Sequence, residues 1–139
     1  MNPSAKGAEA NPNTCQRRRI SIVDDDPSVR RSLNRLLQSF GYTVNAYESA
    51  EAFLAAAVGN ETDFLILDVH LPGRSGLQLQ SDLHADGNRL PVIFITAFDD
   101  EQTRIKAKKS GAIEFLRKPL DSERLLDLVR STLDGNQDV

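Results

Sequence analysis

Four acidic residues and one lysine stand where their spacing allows chemistry. Asp24, Asp25 and Asp26 follow the run Ile20-Ser21-Ile22-Val23, Asp68 follows Phe64-Leu65-Ile66-Leu67, and Lys118, directly before Pro119, follows Ile113-Glu114-Phe115-Leu116. In a parallel sheet the carboxyl ends of the strands share one edge, so these groups would converge. Two carboxylates ~4 Å apart repel by ~4 kcal/mol at an effective dielectric of ~20, so a cluster of three requires a cation. Oxygen-only ligands, few in number and leaving sites for water, favour Mg²⁺ over a dedicated Ca²⁺ cage. An aspartate beside Mg²⁺ can attack phosphorus and form an acyl phosphate. Lys118 can hold one phosphoryl oxygen as a compact cation. Thr96, ending a fourth apolar run, can donate its hydroxyl to another, and Ala97 beside it is small enough to leave room.

The elements that must position these groups alternate along the chain. Short apolar runs at 19–23, 43–47, 63–67, 91–95 and 112–116 read as strands, with segments of helical length between them. In the first such segment Val29, Leu33, Leu36, Leu37 and Phe40 paint one helix face; Asp26 caps it, Pro27 suits its first position and Gly41 its left-handed end. A second helix is expected from Ser49 to Ala57 with Ala52, Phe53 and Ala56 inward. A third follows Ser75-Gly76, uses Leu79 and Leu83 and ends near Gly87. A fourth runs from about Asp99 to Ser110, stopped by Gly111. A fifth follows the cap Asp121, buries Leu125, Val129 and Leu133, and ends at Gly135. Runs 64–67 and 92–95 are apolar on both faces, as central parallel strands are. Five βα units imply a doubly wound α/β domain with right-handed crossovers and helices on both faces.

The 139 residues are one domain's worth. Residues 1–17 read as a flexible leader, 18–133 as the domain, and 134–139 as a tail or the start of a linker. A net charge of −3 argues against a nucleic-acid-binding surface here, and Arg17-Arg18-Arg19 is too short to change that. Cys15 is the single cysteine, so no internal disulfide can form. With no apolar stretch of membrane length and no signal-peptide core, the expectation is a cytoplasmic protein.

Each motif alone has an ordinary reading. The Asp triplet is a solvated loop with a helix cap, Lys-Pro a turn, Thr96 a strand end. Their joint placement at the ends of strands one, three, four and five is what gives them weight. Together, Ile22-Val23-Asp24-Asp25-Asp26-Pro27, Leu67-Asp68-Val69-His70-Leu71-Pro72-Gly73-Arg74-Ser75-Gly76, Thr96-Ala97 and Lys118-Pro119 resemble a response-regulator receiver domain of two-component signalling. The likeness covers about residues 18–133 and is greatest to FixJ/NarL-type transcriptional regulators.

The resemblance implies a CheY-like five-stranded sheet of order 2-1-3-4-5. It implies that Asp68 accepts a phosphoryl group from a sensor histidine kinase. Asp25 would bind Mg²⁺ directly, Asp24 largely through water, and the backbone carbonyl of His70 would be a further ligand. Lys118 would pair with Asp68, with a cis bond to Pro119. Thr96 and Phe115 would form the switch, altering the face of the fourth helix, fifth strand and fifth helix. Ile105 and Lys109, four apart on the fourth helix, would belong to a homodimer interface formed on phosphorylation; otherwise Ile105 packs inward and Lys109 is plain surface charge. Phe115 has its own ordinary reading as a core aromatic. His70 and Phe98, with Ala97, would govern access to the phosphoryl group, and their size predicts a long-lived phosphoryl state. His84 reads as a surface helix residue with no partner ligand at helical spacing.

Other classes fit less well. A haloacid-dehalogenase-type phosphatase needs a second Asp two residues after the nucleophile, where this chain has His70. A flavodoxin-like module wants a Ser/Thr/Gly-rich phosphate loop after the first strand, where three aspartates stand instead. A receiver that no longer responds to phosphate would be expected to lack part of this residue set. An output domain beyond the tail is expected from the FixJ/NarL likeness, a stand-alone regulator being the alternative.

Overall fold

A computed structural model describes residues 18–56, 61–98 and 100–133. The expected leader 1–17, tail 134–139, Ala57, Asp99 and Gly135 lie outside the described residues. The elements are β1 (Arg19–Val23), α1 (Pro27–Ser39), β2 (Thr43–Tyr47), α2 (Ala50–Ala55), β3 (Phe64–Asp68), α3 (Gly76–Ala85), β4 (Val92–Thr96), α4 (Glu101–Lys109), β5 (Glu114–Arg117) and α5 (Ser122–Leu133). All strand pairs are parallel and the order is β2-β1-β3-β4-β5.

Strand pleating sorts the core into two layers. Ile20, Ile22, Ile66, Ile93, Ile95 and Leu116 face α1 and α5, meeting Leu33, Leu37, Leu125 and Val129. Their alternates Val23, Leu65, Leu67, Phe94 and Phe115 face α2, α3 and α4, meeting Phe53, Leu79, Leu83 and Ala107. Every residue of β3 and β4 is buried. Burying one Leu, Ile or Phe side chain contributes about 1.5–3 kcal/mol, so these two strands anchor the sheet.

Helix starts follow side-chain capping. Asp26 accepts from the Ser28 N–H at 2.9 Å, with Pro27 in the first turn. Ser49 accepts from Ala52, Ser75 from Gln78 and Asp121 from Glu123. Gly41 ends the first helical segment with φ +94°, a conformation that costs other residues more.

Five details differ from the sequence expectation. Helix α4 is capped by Asp100, whose carboxylate accepts from the Gln102 N–H at 3.0 Å, so it begins at Glu101 rather than near Asp99. Helix α2 ends at Ala55, which leaves Ala56 exposed instead of inward. Phe40 falls one residue past α1 and is exposed, its ring 5.9 Å from the Arg130 guanidinium carbon. Strand β5 starts at Glu114, with Ile113 partly exposed ahead of it. Strands β3 and β4 each reach one residue further than their apolar runs, so Asp68 and Thr96 are themselves strand residues.

Candidate functional site

The parallel register sets Asp68 opposite Ile95 and Thr96 opposite Arg117, so the last residues of β3 and β4 and the first after β1 and β5 share one edge. Lys118 reaches back across this edge. Its Nζ lies 2.8 Å from Asp24 Oδ2 and 3.1 Å from Asp68 Oδ2. Asp24 and Asp68 are buried, and Lys118 is only partly exposed.

Local backbone fixes the carboxylates. Asp24 Oδ1 accepts from the Asp26 N–H at 2.9 Å, and its carbonyl accepts from Arg30 Nη1 at 2.8 Å. Asp68 Oδ1 accepts from the His70 N–H at 3.0 Å, which leaves Oδ2 for Lys118. Asp24 Oδ2 is different. Lys118 pairs with it by charge at 2.8 Å, yet no donor is aimed at it as a hydrogen bond requires, and it is buried from water.

Asp25 is exposed at the rim, and carboxylate oxygens of Asp24, Asp25 and Asp68 all lie within 4.8 Å of one another. At that spacing each pair of charges repels by about 3–4 kcal/mol at an effective dielectric of ~20. One ammonium among three carboxylates leaves the cluster negative. Burial, and then the charge of Asp24, raise the Asp68 pKa above the ordinary carboxylate value against the opposing pull of the His70 N–H and Lys118. For Lys118, burial acts to lower the pKa, but contact with Asp24 and the charges of Asp24 and Asp68 outweigh it and the net shift is upward. A buried oxygen held only by the charge of Lys118, two further carboxylates within reach and an open side at Asp25 fit a hard divalent cation such as Mg²⁺.

The remaining expected residues surround this cluster. Thr96 is fully buried, and its Oγ1 accepts from the Phe98 N–H at 3.0 Å, while its carbonyl accepts from the Lys118 N–H at 2.8 Å. The Lys118–Pro119 peptide is cis. Ala97, Phe98 and His70 are exposed. The His70 and Phe98 rings meet edge to face, centroids 5.3 Å apart at 90°. Phe115 is buried in the layer facing α4, with the Arg104 guanidinium carbon 5.4 Å over its ring. Ile105 and Lys109 are both exposed on α4, whose buried residues are Thr103 and Ala107; Ile105 does not pack inward.

Two features escape a reading of the sequence. Glu114 joins three elements, its carboxylate 3.9 Å from Lys108 of α4 and 2.7 Å from Arg124 of α5; a charged residue inside an apolar strand run was the available signal. Glu51 contacts the loop after β3, a link between residues 23 apart with no local signature. Among the described residues, the one cluster of three acidic or imidazole side chains able to hold a metal is Asp24, Asp25 and Asp68, and His84 belongs to none. No helix of the described residues is long and apolar enough to cross a membrane.

Comparison with known proteins points the same way. The family model for the response regulator receiver domain matches residues 20–130. The transcriptional regulatory protein TdiR of Thauera aromatica is 42% identical over 120 residues, covering 86% of this chain and 53% of TdiR. The solved structure of the response regulator StyR superposes with a TM-score of 0.79 at 39% identity, covering 88% of this chain and 62% of that one. The structure of FixJ-N gives a TM-score of 0.75 at 31% identity, covering 84% and 94%. The chain spans about half the length of the curated relatives it matches.

Proposed function

Given that this chain belongs to the response regulator receiver domains of two-component systems, we propose that it is a phosphorylation-driven binding switch with Asp68 as phosphoacceptor. The observation that carries this reading is the convergence of Asp24, Asp25, Asp68 and Lys118 at one edge, with a buried oxygen of Asp24 met only by the charge of Lys118. The donor is a phosphohistidine on a sensor histidine kinase. An Asp68 carboxylate oxygen attacks phosphorus; the new O–P bond forms as the N–P bond breaks, and the electron pair leaves on the imidazole nitrogen, which takes a proton. Bound by Asp24, Asp25, Asp68 and the His70 carbonyl, Mg²⁺ would offset charge on the attacking and phosphoryl oxygens.

Lys118 turns from Asp68 Oδ2 to the phosphoryl group, since its ammonium has free choice of direction within the pocket. Thr96 exchanges its contact with the Phe98 N–H for one with a phosphoryl oxygen, and the space it leaves admits movement of Phe115. The motion alters the face formed by α4, β5 and α5, where Ile105 and Lys109 lie, and two copies dimerise through it. The domain contacts no nucleic acid itself. Residues 18–133 form the receiver, between a leader 1–17 and a tail 134–139 leading towards a DNA-binding output domain, and the protein works in the cytoplasm. The names of relatives such as TdiR support the transcriptional output.

The test is incubation with Mg²⁺ and a small-molecule phosphodonor, followed by intact mass and elution volume. A phosphoryl adduct in the parent, absent in Asp68→Asn and accompanied by a shift to dimer, is the expected result. An adduct that persists in Asp68→Asn would remove the assignment.

A further inference from the structure

The loop joining β3 to α3 leans on a single side chain from α2. Glu51, in the first turn of α2, accepts the Arg74 backbone N–H on Oε2 at 3.0 Å. Gly73, next to it, has φ +73°, and a Cβ built there would stand 2.8 Å from the same oxygen. The loop backbone is therefore seated directly on the carboxylate, with no space for a side chain between them. Arg74 sends its own side chain the other way, to Asp82 of α3, which also accepts from Gln78 Nε2 at 3.2 Å. The loop ends are tied separately, by the Gly76 N–H to the Val69 carbonyl at 3.0 Å and by the His70 N–H to Asp68 Oδ1 at 3.0 Å.

We propose that Glu51 is a positioning residue for the divalent cation, setting the path of the 69–76 loop and hence the aim of the His70 carbonyl without touching the ion. The inference rests on the reading that His70's carbonyl and the three aspartates hold Mg²⁺. Mg²⁺ accepts ligands only near octahedral directions at about 2.0–2.1 Å, so a backbone ligand must be held by the structure around it. Asp24 and Asp68 are held at the strand ends by the Asp26 and His70 N–H groups; the His70 carbonyl lies beyond the strand, on the loop that Glu51 seats. N–H groups of Glu51 itself and of Arg74 lower the Glu51 pKa, so the carboxylate is ionised at neutral pH and its hydrogen bond to the loop is charge-assisted.

The experiment is calorimetric titration of Mg²⁺ alone into the parent, Glu51→Gln, Glu48→Gln and Asp25→Asn, with amide exchange of Arg74 followed by NMR in EDTA. Glu48 is exposed at the same edge, so its substitution changes the charge equally without touching the loop contact. Glu51→Gln is expected to weaken Mg²⁺ binding about tenfold, the low end of what losing an outer-shell partner does, and to speed Arg74 amide exchange. Glu48→Gln is expected to stay within about twofold of the parent, because exposed charges are screened by salt. Gly73→Ala, pressing a methyl group against the same carboxylate, is expected to weaken binding too. Equal losses in Glu51→Gln and Glu48→Gln would reduce the effect to charge and overturn the inference. So would parent-like affinity in Glu51→Gln while Asp25→Asn fails to bind. A parent that binds no Mg²⁺, or an Asp25→Asn that binds as tightly as the parent, overturns the underlying reading and this inference with it.

Discussion

Lys118 stands closer to Asp24 than to Asp68, at 2.8 Å against 3.1 Å, although only the contact with Asp68 has the direction of a hydrogen bond. One ammonium thus balances two buried carboxylates without fully satisfying either. Removing it leaves both uncompensated. Lys118→Ala is expected to lower stability in EDTA by about 3 kcal/mol, the scale for breaking a buried pair from one side, and Mg²⁺ should restore part of the loss. Urea melts with and without Mg²⁺ check this; a loss under about 0.5 kcal/mol, the range of ordinary surface substitutions, would mean the pair is solvated.

Asp68 behaves oppositely. Its folded pKa is raised, first by burial and then by Asp24, so the fold favours its protonated form. The stability from this group is complete below the unfolded carboxylate pKa and is lost as pH rises through the raised folded value. Above that value the charged carboxylate stands buried beside Asp24, with only the His70 N–H and the Lys118 ammonium opposing. Asp68→Asn, which mimics the protonated state, should therefore stabilise the metal-free chain at pH 7, on the order of 1 kcal/mol after the weakened contact with Lys118 is set against it. Its advantage should shrink as pH falls. Melting temperatures across pH 3–8 decide the matter, and destabilisation at pH 7 would count against it.

The His70–Phe98 ring pair is carried by residues whose N–H groups bond Asp68 and Thr96. Such a pair is worth about 0.5–1.5 kcal/mol, which converts to roughly a two- to tenfold change in rate. We expect His70→Ala and Phe98→Ala each to speed hydrolysis of the Asp68 acyl phosphate by that factor. The double variant should be little faster than either single one, because each ring needs the other to cover the site. Unchanged or slower hydrolysis in both single variants removes the idea.

Ile105 and Lys109 are exposed on α4. Ile105→Asp and Lys109→Glu should leave stability within about 0.5 kcal/mol of the parent while abolishing dimer formation by the phosphorylated protein. Elution volume after phosphodonor treatment is the measurement, and a dimer that survives both changes would locate the interface elsewhere.

Where local chemistry decides, the sequence was legible. Short apolar runs placed the strands, Asp26-Pro27 began α1, and the residues at the strand ends came together because parallel pairing leaves them few other places to go. Asp99 and Asp100 offer the same capping chemistry in sequence; the structure shows Asp100, with extended backbone at φ −105° and ψ 121°, as the cap of α4. Phe40 continues the apolar period of α1, but the helix stops at Ser39 and the ring goes to Arg130 instead. Glu51 under Gly73, and His70 against Phe98, depend on the course of two loops through space, which no periodicity encodes.

The pleat of β4 has one more consequence. Ile93 and Ile95 look towards α1 and α5, while Phe94 looks towards α4, as does Phe115 on the neighbouring strand. Thr96 continues the parity of Phe94. On the proposed reading, a disturbance beginning at its hydroxyl meets the α4 side of the sheet first. The layer of branched aliphatics on the opposite side would then feel it only second-hand, through the strands the two layers share.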